Sequence, residues 1–176
     1  NLSEGHREAV RKEELIEGDL GDEQAICDAL EKTQADAVMH FAANAYVGES
    51  VEHPEKYYFN NVVNTLKLLR SMQNCEVDRL VFSSSCAVYG EPEEVPIQED
   101  FPFCPLSPYG RTKAAVEWIL DDYHTAYELR YASLRYFNAA GAALDGTIGE
   151  DHRPETHLIP LVIEAALGQR PGVSIF

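Results

Sequence analysis

The chain has 176 residues, a length that suits one domain with a hydrophobic core of its own. Hydrophobic residues make up 45% of it and charged residues 25%, which is ordinary globular usage and excludes disordered, collagen-like and disulfide-rich classes. Acidic residues number 30 against 14 Lys and Arg, giving a formal net charge of −16, so nucleic acid is not an expected partner.

Membrane insertion and metal binding are also not expected from the sequence. No apolar run is long enough to span a bilayer and nothing resembles a signal peptide, so a cytoplasmic protein with no membrane partner is predicted. The cysteines are far apart, with no paired spacing, which argues against a disulfide framework and against structural zinc. These cysteines are Cys27, Cys75, Cys86 and Cys104.

Short apolar runs alternate with helical patterns along the chain, which is typical of an α/β fold with a doubly wound parallel sheet. Strands are predicted, in chain order, over residues 14–17 (weakly), 37–43, 79–83 and 132–137. Helices are predicted over residues 22–32, 54–72, 107–128 and 158–167. Two irregular stretches, 91–107 and 142–156, are rich in Pro or Gly and are predicted to be surface loops.

A nucleotide-binding sheet of this kind normally begins with a strand and a glycine-rich turn that holds a pyrophosphate at a helix N-terminus. No such turn occurs in the 176 residues. The sequence is therefore interpreted as an internal piece of a longer protein, without its first strand and glycine-rich turn.

The motif with the clearest chemistry is Tyr109-x-x-x-Lys113, at the start of a predicted helix. Residues four apart share one helical face, so the phenol and the ammonium can point into one site. A nearby Lys and the helix N-terminus both favour phenolate, so the Tyr109 pKa is expected to fall from about 10 toward neutrality. Alone, this spacing occurs by chance in many helices.

Three hydroxyl residues, Ser83, Ser84 and Ser85, end a predicted strand, and Ser85 lies 24 positions before Tyr109. Side chains at such strand ends project into the ligand crevice of an open α/β sheet. Hydroxyls there could also simply bond neighbouring backbone groups. Combined with Tyr109 and Lys113, they supply the parts needed for proton transfer at a carbinol.

Several motifs together resemble the extended short-chain dehydrogenase/reductase family. They are Asn60, SSSCAVYG at 83–90, SPYGRTK at 107–113 and LRYFN at 134–138. Within that family, HFAA at 40–43, VGESV at 47–51 and GED at 149–151 resemble the branch that epimerises UDP-sugars at C4. The resemblance runs almost end to end.

The resemblance implies a role for each matching residue. Tyr109 would be the catalytic base, Ser85 the hydroxyl that bonds the sugar 4-OH, and Lys113 the residue that holds the cofactor ribose and lowers the Tyr109 pKa. NAD would lie along Asn1, Asp19, Leu20, Phe41, Ala42, Ala43, Asn60, Ser83, Tyr109, Lys113 and Tyr136. The UDP-sugar would contact Ser85, Tyr109, Asn138, His157, Leu158 and Phe176.

Departures from the pattern of relatives help to choose among reactions. Similar dehydratases carry Asp-Glu directly after the active-site hydroxyl, where this chain has Cys86 and Ala87. Ala45 stands where some epimerases have a Lys near the cofactor phosphates, and His157 where some have a substrate-binding Asn. These two differences put sugar preference in question more than reaction type.

The resemblance implies an NAD-dependent enzyme that interconverts UDP-glucose and UDP-galactose. The steps would be oxidation at C4, rotation of the 4-keto sugar and re-reduction from the other side. Residues 1–141 would be a partial NAD-binding domain and 142–176 the start of a UDP-sugar-binding domain, in a homodimer as the full protein. Two alternatives are a 4-epimerase of another UDP-sugar, such as UDP-arabinose or UDP-N-acetylhexosamine, and a fragment without catalytic activity.

Overall fold

The computed structural model describes residues 1–10, 15–152 and 155–174. In this part of the chain, parallel strands form a sheet in the order β1-β2-β3. The strands are β1 (Val38–His40), β2 (Arg79–Ser85) and β3 (Arg130–Tyr136). A parallel sheet with helices in its connections confirms the predicted α/β class.

Helices precede the first strand, connect the strands and follow the last one. They are α1 (Glu23–Thr33), α2 (Val47–Glu52), α3 (Pro54–Tyr57), α4 (Asn64–Asn74), α5 (Pro108–Tyr127) and α6 (Leu158–Ala166). A π-helical segment, Tyr58–Val63, joins α3 to α4, and 3₁₀ turns occupy Arg7–Ala9 and Cys86–Val88. The predicted helix over 54–72 is thus a helical path with a wider turn inside it. The stretch 91–107 has no helix or strand, as expected.

Strand ends differ from the sequence prediction. The run predicted at 37–43 pairs with β2 only as far as His40, and the apolar residues after it leave the sheet. The run predicted at 79–83 continues to Ser85, because β3 pairs with it through Tyr136. Hydrophobicity indicates where a strand lies, but it does not show at which residue the hydrogen bonding to the neighbouring strand ends. The weak strand at 14–17 is wrong for residues 15–17, which pair with no strand of the described chain, and residue 14 lies outside the described residues.

One hydrophobic core joins the sheet to three of its helices. Leu80 and Phe82 from β2 meet Leu69 and Met72 from α4, together with Leu120 from α5, and all five are almost fully buried. The periodic apolar residues of these helices therefore fix how α4 and α5 lie against β2. That packing carries the first turns of α5 to the end of β2.

The chain divides into two compact units. The first contains Asn1 and residues 16–137, and the second contains residues 2–15 and 138–176. The sheet, α1 to α5 and the hydrophobic core belong to the first unit, whereas α6 belongs to the second. None of the helices that the structure describes has the length and apolar character to cross a membrane.

Candidate active site

The carboxyl ends of the parallel strands gather many of the predicted site residues in the first unit. Ser83 and Ser85 lie at the end of β2, and the register places Tyr136 of β3 opposite Ser85. Phe41, Ala42 and Ala43 come directly after β1. In an open α/β sheet this edge is where ligands bind.

Helix α5 begins at this edge for identifiable reasons. The Ser107 hydroxyl accepts a hydrogen bond from the Gly110 N–H at 3.1 Å, and Pro108 occupies the first helical position. A Cβ on Gly110 would lie 2.7 Å from the Ala87 carbonyl oxygen, so only glycine allows the helix to come this close to the segment after β2. This approach places Tyr109 beside the end of β2.

Lys113 is held at the centre of the site. Its Nζ donates a hydrogen bond to the Ser83 carbonyl at 2.8 Å and lies 4.9 Å and 5.7 Å from the ring centroids of Phe82 and Tyr109. Burial lowers the Lys113 pKa to about 8. The amine has further N–H donors beyond the one given to Ser83, and these can serve a bound hydroxyl.

The Tyr109 phenol lies beside Ser85, whose hydroxyl accepts from the Ala87 N–H at 3.2 Å. The sequence prediction of a lowered Tyr109 pKa is wrong for the protein alone. Burial raises the pKa of Tyr109, and the neighbouring Ser85 hydroxyl opposes this only in part. The Lys113 Nζ is bonded to the Ser83 carbonyl and lies 5.7 Å from the Tyr109 ring centroid, and its charge does not offset the effect of burial on the Tyr109 pKa.

A second buried network lies on the face of β2 that packs against α5. Ser84 alternates with its neighbours along the strand, and its hydroxyl donates to Glu117 of α5 at 2.5 Å. Glu117 also forms a 2.8 Å ion pair with Arg135 of β3. This network ties α5 to two strands, and it explains why Ser84 does not join Ser83 and Ser85 in the site.

Asn61, in the π-helical segment, ties the loop after β1 to α5. Its side-chain oxygen accepts from the Asn44 N–H at 2.8 Å and from Asn60 at 3.0 Å. Its amide nitrogen donates to the Asn44 carbonyl and to Thr112 Oγ1. The sequence analysis did not identify Asn61 or Thr112. A buried Asn inside a helical pattern was the available signal, because Asn is a poor helix former without a bonding partner.

Asp19 and Leu20 belong to a separate group at the entrance to α1. The Asp19 carboxylate accepts from the Gly21 N–H at 2.7 Å and from the Asn1 side chain at 2.5 Å, and these bonds lower its pKa. The Asn64 side-chain oxygen is buried without a hydrogen-bond partner and would lie 3.7 Å from a Cβ at Gly21. A buried oxygen without a partner can accept a hydrogen bond from an N–H group of a bound ligand.

The remaining predicted residues lie in the second unit or outside the described residues. Asn138, His157 and Leu158 belong to the second unit, where His157 is the N-cap residue of α6. Phe176 lies outside the described residues. Within the first unit, the structure thus brings together Ser83, Ser85, Tyr109 and Lys113.

Comparison with known proteins gives a family match over the whole chain. The model of the NAD dependent epimerase/dehydratase family matches residues 1–176. The chain belongs to this family. It is 50% identical over 176 residues to a UDP-glucose 4-epimerase of Halalkalibacterium halodurans, covering all of this chain and 53% of that relative.

Solved structures of the family share the fold. The UDP-glucose 4-epimerase from Brucella ovis in complex with NAD matches with a TM-score of 0.96 at 50% identity, covering 100% of this chain and 54% of that one. An epimerase from Stenotrophomonas maltophila, with bound NAD and formylated UDP-arabinopyranose, matches with a TM-score of 0.87 at 39% identity over 92% and 48% of the two chains. The fold is therefore the Rossmann-like fold of this family. The chain spans about half the length of the relatives it matches.

Proposed function

We propose that the natural protein containing this chain is an NAD-dependent epimerase that interconverts UDP-glucose and UDP-galactose. The observation that carries the proposal is the group formed by Ser85, Tyr109 and Lys113 at the end of β2, with the Ser85 hydroxyl beside the Tyr109 phenol. Proton transfer at a sugar hydroxyl needs a positioned base and a donor that orients the hydroxyl, and this group supplies both. Relatives at about half sequence identity are UDP-glucose 4-epimerases.

The residues of this chain handle the proton of the sugar 4-OH. Ser85 holds that hydroxyl against the Tyr109 oxygen, and Tyr109 takes the proton as C4 becomes a ketone. After the 4-keto sugar rotates, Tyr109 returns the proton and the configuration at C4 is inverted. Bound NAD⁺ supplies the hydride acceptor and donor for C4, and also a positive charge that favours the Tyr109 phenolate.

The residues present fit this cofactor. Lys113 has free N–H donors at the sheet edge for ribose hydroxyls, and the exposed Phe41 and Tyr136 offer apolar faces there. The buried, unpartnered oxygen of Asn64 beside Gly21 suits the amino group of an adenine near Asp19 and Leu20. The remaining cofactor candidates, Asn1, Ala42, Ala43, Asn60 and Ser83, are assigned on the family resemblance.

The reaction type is favoured over dehydration by the two residues directly after Ser85. Cys86 and Ala87 offer no carboxylic acid, and burial raises the pKa of the Cys86 thiol. Elimination of water needs an additional acid and base, and these positions do not provide them. Epimerisation needs only the base already present.

The first experiment assays the full natural polypeptide, purified without added cofactor, for conversion of UDP-galactose to UDP-glucose. Tyr109→Phe keeps the ring and removes the proton acceptor, so we expect kcat to fall by about 10² to 10⁴ with bound NAD unchanged. Tyr127→Phe is the matched control, because Tyr127 lies at the far end of α5 with an exposed ring. It should retain full activity.

Other results would change the assignment in distinct ways. A folded, NAD-loaded protein that converts UDP-arabinose or UDP-N-acetylgalactosamine but not UDP-galactose would contradict the proposed substrate while keeping the reaction. Such a substrate is the second candidate, since a relative binds a formylated UDP-arabinopyranose and His157 replaces a substrate-binding Asn of some epimerases. A folded protein without NAD and without activity would support the alternative of a binding module.

The domain roles and assembly are part of the same proposal. Residues 1–141 form a partial NAD-binding domain, which includes the candidate substrate contact Asn138. Residues 142–176 begin the UDP-sugar-binding domain, with His157, Leu158 and Phe176 as its candidate contacts. The full protein is a cytoplasmic homodimer of galactose metabolism. The 176-residue chain by itself is catalytically inactive.

A further inference from the structure

Two histidines and two glutamates converge in the second unit, on the stretch that leads into α6. Glu150, His152, Glu155 and His157 each offer one ligand atom, and these atoms all lie within 4.8 Å of one another. All four side chains come from eight consecutive positions. The cysteine spacing in the sequence could not indicate this cluster, because no cysteine belongs to it.

The distances within the cluster show that two carboxylates compete for the same imidazole proton. His157 Nδ1 lies 2.9 Å from Glu155 Oε1 and 3.1 Å from Glu150 Oε1. His152 Nδ1 contacts that same oxygen of Glu150. Each Nδ1 carries at most one proton, so His157 cannot donate to both carboxylates at once. A single cation at the centre would satisfy all four side chains together.

We propose that these four residues bind one divalent transition-metal ion, with Zn²⁺ as the ion that suits them best. Imidazole nitrogen and carboxylate oxygen are both zinc ligands, and four such donors complete a closed tetrahedral site. Metal–ligand bonds of about 2.1 Å place tetrahedral donors about 3.4 Å apart. In the cluster, the His157–carboxylate distances of 2.9 Å and 3.1 Å are slightly shorter than this spacing, and the limit of 4.8 Å that holds for every pair of ligand atoms is longer. Small side-chain rotations would therefore bring the four donor atoms to a tetrahedral arrangement.

One ligand is already oriented by the backbone. Glu155 Oε1 accepts hydrogen bonds from the N–H groups of Thr156 and His157, each at 2.7 Å. Such contacts behind a ligand fix its direction and strengthen metal binding. The metal would therefore fasten the loop at Glu150 to the first turn of α6. This role is structural, and His157 would then bind the metal in place of the UDP-sugar contact proposed for it above.

The test uses the untagged natural polypeptide, stripped of metal with a chelator and titrated with Zn²⁺ in a calorimeter. One ion per chain is expected. His152→Ala and Glu150→Gln should each weaken binding at least tenfold, since losing a direct ligand exceeds the loss of a supporting contact. His53→Ala is the matched control, because it removes an exposed histidine outside the cluster, and it should bind as the wild type.

Co²⁺ binding provides a second, spectroscopic measurement that is independent of calorimetry. Bound at this site it should give the visible absorption bands of a tetrahedral complex, and these should be lost in His152→Ala and kept in His53→Ala. Circular dichroism checks that each variant is folded. The proposal is overturned if Zn²⁺ shows no saturable one-to-one binding, or if a folded His152→Ala binds as tightly as the wild type. The cluster would then be a set of histidine–carboxylate ion pairs.

Discussion

At the scale of single residues, His40 shows how a neutral side chain is fixed in the core beneath the site. Its Nε2 lies 2.8 Å from Thr65 Oγ1, and the Thr65 hydroxyl donates its own proton to the Asn61 carbonyl. His40 is therefore the donor in its bond to Thr65, which sets the tautomer with the proton on Nε2. Burial, together with the charge of Lys113, lowers the His40 pKa to about 4.

This lowered pKa makes stability depend on pH. Between pH 6.5 and pH 4 the unfolded chain binds a proton at His40 that the folded protein does not, so the free energy of unfolding falls as the pH falls. From pH 7 to pH 5 the loss from this one residue is about 2 kcal/mol. In His40→Gln that component should be absent, because glutamine does not titrate. Urea unfolding at the two pH values measures the difference.

The exposed His53 provides the control, since His53→Gln should keep the full acid sensitivity of the wild type. Comparing each variant with itself at two pH values removes any fixed cost of the substitution. An equal pH 7 to pH 5 loss in His40→Gln and wild type would show that His40 does not carry the effect.

Residue spacing correctly predicted which side chains lie close together in the candidate site, but not the direction in which the Tyr109 pKa is shifted. The four-residue period brings Tyr109 and Lys113 to one face, and the strand end brings Ser85 to Tyr109. The direction of the Tyr109 pKa could not be obtained this way, because it depends on burial and on which oxygen Lys113 contacts. Both are properties of the packed structure. The roles of the individual site residues stay predictions.

At the scale of elements, the start of α5 controls the geometry of the site. Ser107 caps the helix, and Tyr109 and Lys113 occupy its first two turns. The first N–H groups of a helix have no carbonyl partner within the helix, so a capping side chain such as Ser107 satisfies one of them. Weakening the cap therefore loosens the turn that bears Tyr109.

Ser107→Ala should lower the free energy of unfolding by about 1 kcal/mol, because it removes the hydrogen bond to the Gly110 N–H. Urea unfolding at pH 7 measures this loss. Ser107→Asp retains a capping oxygen and favours the helix dipole, so it should stay close to the wild type. If Ser107→Asp were destabilised as much as Ser107→Ala, the cap would not be the cause.

Helices with clear start signals were predicted closely, whereas others were missed or simplified. Asp22 and Ser107 are the N-cap residues of α1 and α5, since each side chain accepts from a backbone N–H three residues on. Helix α2 has only six residues and no side-chain cap, so no periodic signal marks it. The π-helical turn at 58–63 contains Asn61, whose partners are distant in sequence, and local patterns carry no information about them.

At the scale of the whole molecule, the exposed apolar surface is the feature that most affects behaviour in solution. Helix α6 is strongly apolar, yet none of its residues is buried. A helix that is apolar on most sides is normally covered by other parts of a protein. The exposed large side chains of this helix are Leu158, Ile159, Val162 and Ile163.

The two edge strands of the sheet also expose apolar side chains. In the described chain β1 and β3 each pair with β2 alone, and Met39 on β1 and Leu134 on β3 are exposed. Unpaired strand edges with apolar side chains promote association with other chains. The chain also spans only about half the length of its relatives, which supports the proposal that further segments cover these surfaces.

The 176-residue chain produced alone should therefore bind the apolar dye ANS strongly and aggregate, whereas the full natural polypeptide should bind little dye and form nothing larger than the proposed dimer. Fluorescence titration and light scattering at equal molar concentration measure the two effects. Replacing the exposed Val162 and Ile163 of α6 by Lys should reduce dye binding of the short chain, because it removes part of the apolar surface without touching the core. A short chain that binds no dye and stays monomeric would show that α6 and the sheet edges need no covering, and the division of function between a partial NAD-binding domain and an incomplete sugar-binding domain would lose its physical support.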